Sequence, residues 1–147
     1  MNVKTILAAK SRNLGGDIVS IEPTADIAAA ARLLSARRIG AVVIHGAGGR
    51  LAGILSERDI VRAISEHGAA ALTQSVGQVM TRNVTTCGED DDIASIMERM
   101  TAGKFRHMPV VAKGELIGVI SIGDVVKQRV TEIEQESEAM RDYIRTA

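Results

Sequence analysis

The sequence predicts an α/β (α+β) fold in which two pseudo-symmetric copies of a β-α-β-β-α unit are followed by a C-terminal helix. Three observations predict it. The chain is written twice, each copy shows the same order of strand and helix signals, and 46% of the 147 residues are apolar, enough for a real interior.

The duplication is read by laying residues 84 onward over residues 18 onward. Ile18 falls on Val84, Asp26 on Asp92, Ile27 on Ile93, Leu34 on Met100, Ile39 on Phe105 and Val43 on Pro109. One residue is then dropped in a turn, "GAGGR" against "AKGE", and the register resumes with Leu51 on Leu116, Gly53 on Gly118, Ser56 on Ser121 and Asp59 on Asp124.

Each copy opens with a short strand, "IVSI" or "VTTC". A helix follows, started by Thr24 or Asp26 in the first copy and by the acidic run Glu89 to Asp92 in the second, where negative charge suits the helix dipole. Its apolar face carries Ile27, Ala30, Ala31 and Leu34, or Ile93, Ile96, Met97 and Met100. Two strands then flank a glycine-containing turn, and a last helix starts at "SERDIVRAISEH" or "SIGDVVKQRV". Such a unit leaves half its core open, so the two copies are expected to close on each other.

Composition excludes several functions. The 18 basic and 18 acidic residues cancel, which argues against nucleic-acid binding by bulk charge. Two aromatic residues, Phe105 and Tyr143, are too few for single strands stacked on rings. The single cysteine, Cys87, excludes an internal disulfide and fits a reducing cytoplasm. No signal-type apolar region opens the chain and no run is long enough to span a membrane. Walker-type, GxGxxG, HExxH and CxxC patterns are missing, the acidic run lacks the spacing of a calcium loop, and no nucleophile–base pair is evident, so neither catalysis nor a metal is predicted.

The order of elements, the "GxxSxxD" motif in both copies, "RRIGAVVI" with "LAGILSERDIV" and "FRHMPVV" with "LIGVISIGDVV" resemble a tandem pair of CBS domains, the module named after cystathionine beta-synthase. The resemblance covers roughly residues 3 to 130. It implies one CBS pair (a Bateman-type module) standing alone, with two pseudo-symmetric clefts for adenine nucleotides: AMP, ATP or NAD/NADH. The expected division is residues 1–70 for the first CBS domain with its N-terminal segment, 71–130 for the second, and 131–147 for a helical extension.

The twin motif has two compatible readings. Ser56 with Asp59, and Ser121 with Asp124, can cap helices reciprocally, a feature of about 1 kcal/mol. The same helix starts can seat a phosphate, and a carboxylate one turn in can accept from a ribose diol. The resemblance makes the serines and aspartates the phosphate and ribose contacts. It places adenine beside Ile18, Val19, Ile39, Gly40 and Ala41 in the first copy. In the second copy it points to Val84, Thr85, Phe105, His107, Met108 and Pro109, although apolar residues among these would equally serve as ordinary core. Arg58 and Arg106 are candidate phosphate ligands through the guanidinium fork, and Gly53 and Gly118 can admit a ligand or a neighbouring segment. The segment "LAAKSRNLGGD" reads as a surface loop from which Lys10 and Arg12 could fold over a phosphate. Because the copies differ, unequal ligands are expected at the two sites.

Past the repeat, Val126, Val130, Ile133, Ser137, Met140 and Ile144 recur at alternating intervals of four and three, a narrow seam for its own domain or for a second subunit. The resulting expectation is a cytoplasmic, non-catalytic nucleotide sensor, homodimeric, acting on a protein target. The alternative is a protein-interaction scaffold with unoccupied clefts.

Overall fold

Hydrogen-bonded hairpins and capped helices recur in the same order in both copies. A computed structural model of the chain describes residues 1–14 and 18–146. The elements run α1 (Val3–Leu14), β1 (Ser20–Ile21), α2 (Ile27–Arg37), β2 (Ala41–His45), β3 (Leu51–Ser56), α3 (Glu57–His67), α4 (Val76–Val79), α5 (Ile93–Gly103), β4 (His107–Ala112), β5 (Glu115–Ser121) and α6 (Ile122–Thr146).

Local chemistry explains the boundaries. Asp26 caps α2 by accepting from the Ala29 amide at 2.8 Å, and Asp92 caps α5 from Ser95 at 3.4 Å. Both helices end on a left-handed residue, Arg38 (φ 54°) and Lys104 (φ 57°), which occupy the same position in the two copies. The hairpin β2–β3 turns through Ala47–Gly49, with Gly48 and Gly49 at positive φ. The hairpin β4–β5 turns through Lys113 and Gly114, both at positive φ, as a two-residue connection between right-twisted strands requires. A register shift falls after Ile44 in one hairpin and after its counterpart Val110 in the other.

The predicted opening strands are shorter than expected. In the first copy only Ser20 and Ile21 pair in parallel with Val43 and Ile44. In the second, "VTTC" contributes one bridge, Cys87 to Val110. The reason lies at Pro109, which stands where the first copy has Val43: proline has no amide hydrogen to extend the ladder.

The chain forms two compact units, Met1–Asp17 with Thr86–Ala147, and Ile18–Thr85. These cut across the expected division at residue 70. The core of the first unit contains Ile93, Ile96, Met100, Met108, Val110 and Ile120, closed by Val3 and Ile6 of α1. The core of the second contains Ile27, Leu34, Val42, Ile44 and Leu55, closed by Val76 of α4 and Met80. The loop read over residues 7–17 is corrected as far as Leu14. Val3, Ile6 and Leu7 share one helical face and pack on the second copy's core, burial that a loop would forgo. At the other end of the chain, α6 runs unbroken from Ile122 to Thr146, across the expected boundary after Val130.

Candidate functional site

In the second unit β3 runs directly into α3 at Ser56. The Ser56 hydroxyl accepts from the Asp59 amide at 3.3 Å, and Asp59 Oδ2 accepts from the Ser56 amide at 2.8 Å and from its hydroxyl at 3.1 Å. In the first unit β5 runs into α6 at Ser121 with the same exchange: the Asp124 amide donates to Ser121 Oγ at 3.2 Å, and the Ser121 amide to Asp124 Oδ2 at 2.8 Å. Both are capping boxes in which the carboxylate occupies the reciprocal position.

The strand entering each hairpin is bound to the same helix start. The Glu57 amide donates to the Gly40 carbonyl at 3.0 Å, and the Ile122 amide to the Arg106 carbonyl at 2.7 Å. Ala41 pairs across from Ser56 and His107 across from Ser121. Ser56, Asp59, Gly40 and Ala41 therefore meet at one place, and Ser121, Asp124, Arg106 and His107 at its counterpart. Arg58 and Arg106 are exposed beside these helix starts. Ile18 and Val19 are half-buried on the approach to β1, and Ile39 is half-buried ahead of β2. Val84 is half-buried and Thr85 exposed; Phe105 is half-buried against the first unit's core. Met108 is a fully buried core residue and Pro109 is buried with it.

The two aspartates differ in their further partners. Asp59, 5% exposed, also accepts from the Thr81 hydroxyl at 3.2 Å, with Arg62 at 3.5 Å. Such complete hydrogen bonding is what permits a carboxylate to be buried. Asp124 is gripped instead by Lys10, whose ammonium stands 2.9 Å from Oδ2 and 2.8 Å from the Val119 carbonyl. Burial by itself would raise the Asp124 pKa; the hydrogen bonds from Lys10 and the Ser121 amide outweigh it and hold the carboxyl below its ordinary value.

No motif in the sequence points to Thr81. Lys10, read as part of a loop over phosphate, stands on a helix against Asp124. A signal for Lys10 is present in the sequence: Val3, Ile6 and Leu7 are spaced i, i+3 and i+4, and Lys10 follows at i+7 on the same helical face. The side chain of Arg12 and residues 15–17 lie outside the described residues. The glycines of the motif prove to admit neighbouring chain. A Cβ at Gly118 would stand 2.6 Å from Leu7 Cδ2, and one at Gly53 would stand 2.7 Å from Met80 Sδ and the Thr81 carbonyl. Among the described residues no three His, Cys, Asp or Glu side chains cluster as a metal site, and no helix is long and apolar enough to cross a membrane.

Comparison with known proteins accounts for the duplication. The model of the CBS domain matches residues 13–66 and again 76–130. The mitochondrial CBS domain-containing protein CBSX3 of Arabidopsis thaliana is 29% identical over 97% of this chain and 71% of its own length. The chain spans only 20% of the longer Arabidopsis relative CBSCBSPB2. Among solved structures, the CBS-domain containing protein ATU1752 of Agrobacterium tumefaciens is 47% identical, with a TM-score of 0.83 over 88% of this chain and 99% of that one. The CBS domain pair of protein MJ0100, solved with 5′-methylthioadenosine and S-adenosyl-L-methionine, shares the fold at 23% identity and a TM-score of 0.76, covering 90% of this chain and 98% of that one. With both copies matched, this chain belongs to the CBS domain family, as two CBS repeats followed by a C-terminal helix.

Proposed function

We propose that the chain is a regulatory module that binds adenine nucleotides, of the AMP, ATP or NAD type, without transforming them. The observation that carries this reading is that the Ser–Asp helix start is built twice with the same hydrogen bonds and the same adjoining strand entrance. At each, the serine faces a phosphate, the aspartate accepts from the ribose hydroxyls, and the strand entrance at residues 39–41 or 105–107 lies against the base. Arg58 and Arg106 supply charge for the phosphates. The MJ0100 domain pair binds adenosine compounds that carry no phosphate, which supports the adenosine part of this reading.

Binding alters the partner's behaviour only by the difference in affinity between two states of the module. The exposed seam of α6, with Val130 and Ile133 each 49% exposed and Met140 61%, is read as the contact with a second copy. The composition and single buried thiol support a cytoplasmic setting.

A second reading, an interaction scaffold using the Ser–Asp pairs only as caps, is favoured by one observation. Asp59 already has its oxygens engaged by Ser56, Thr81 and Arg62. Thermal shift separates the two. A nucleotide at a hundred times its Kd adds about 2.7 kcal/mol of stability; a scaffold shows no shift with AMP, ATP or NAD.

A further inference from the structure

The twin sites agree in the reciprocal bonds between serine and aspartate and differ in what else holds the aspartate. At Asp59 the third partner is a neutral hydroxyl, Thr81, while the cation beside it, Arg62, is 3.5 Å away and 65% exposed. At Asp124 it is the ammonium of Lys10, at 2.9 Å, with side-chain exposures of 31% and 26% for the pair. Lys10 belongs to α1, whose Leu7 packs over Gly118 on β5. The ammonium is therefore delivered by a packed helix and further fixed by the Val119 carbonyl.

A ribose diol approaching Asp124 must take over an acceptor that already holds a cation. An ammonium in a half-buried position that loses its carboxylate requires another anion. A phosphate ester on the same ligand provides it; an unphosphorylated nucleoside does not. No such exchange is needed at Asp59, where the hydroxyl that yields carries no charge.

We propose, resting on the nucleotide reading above, that Lys10 is the specificity-determining residue of the Asp124 site. By exchanging its carboxylate for the ligand's phosphate, it makes the site select phosphorylated over unphosphorylated adenosine.

The test is calorimetry with AMP and with adenosine on the full chain carrying Asp59→Ala, so that the Asp124 site alone reports. With Lys10 in place, AMP binds at least about tenfold more tightly than adenosine, the scale of one charge-assisted hydrogen bond. Lys10→Met brings the ratio to within about threefold, weakening AMP and strengthening adenosine, whereas Lys10→Arg preserves it. Should Lys10→Met fail to fold, Lys10→Gln, which keeps a hydrogen-bond donor toward Asp124 without the charge, decides the matter in the same assay. An unchanged ratio in the uncharged variant overturns the role of Lys10 and leaves the nucleotide reading standing. Binding of neither compound to the Asp59→Ala parent overturns both.

Discussion

Gly53 lies against the carbonyl of Thr81: a side chain begun at residue 53 would place its Cβ 2.7 Å from that oxygen. The counterpart, Gly118, meets only the end of the Leu7 side chain, at 2.6 Å. A backbone carbonyl held by the Ile54 amide at 3.0 Å cannot swing away, whereas a leucine can change rotamer. Gly53→Ala is therefore expected to cost about 2–3 kcal/mol and Gly118→Ala about 1 kcal/mol, within the usual range for overpacking. Urea unfolding of the two variants checks the order.

Acid should weaken the first unit through Asp124. Its folded-state pKa is lowered, so the unfolded chain holds the proton more tightly. The stabilisation is then complete above the ordinary carboxylate value near pH 4 and is lost as pH falls through the lower folded value. Asp124→Asn should be less stable than the parent at neutral pH, and the two urea midpoints should draw together as pH falls below the ordinary carboxylate value toward the lowered folded one.

Alkali should act through Cys87. Burial, followed by the charge of Asp91 and opposed by Arg99, pushes its thiol up to about 11. The folded state keeps a proton that the unfolded chain releases from about pH 8.5, so this contribution is present below that value and declines as pH rises toward the folded one. At pH 8, reaction with a disulfide reagent should be slow in the native protein and at least about a hundredfold faster in denaturant, since the thiolate is the nucleophile.

The tail seam predicts the oligomeric state. Ile133→Glu, on an exposed position of α6, should leave the fold intact and convert a dimer to a monomer in light scattering, because it sets a charge at the centre of the proposed contact. A parent already monomeric at high concentration would remove the dimer from the account.

What could be read in advance was local. Ser56 with Asp59, Ser121 with Asp124, the helix starts at Thr24 or Asp26 and within Glu89 to Asp92, and the hairpins between them depend on residues a few positions apart, and duplication displays each signal twice. What escaped depends on distant chain. The grip of Lys10 on Asp124 and of Thr81 on Asp59 joins segments that no short pattern relates. The helix α1 lies ahead of the repeat frame, where no second copy draws attention to its short apolar face. The loss of the "VTTC" strand follows from a single substitution in that frame, proline for valine.

Nucleotide binding at the two Ser–Asp helix starts is decided by titrating AMP and NAD into the parent protein, Asp59→Ala and Asp124→Ala by calorimetry. Each substitution should weaken binding at its own site by about ten- to thousandfold, as the loss of charge-assisted hydrogen bonds to a ribose diol implies. Unchanged affinity for both compounds in both variants would contradict it.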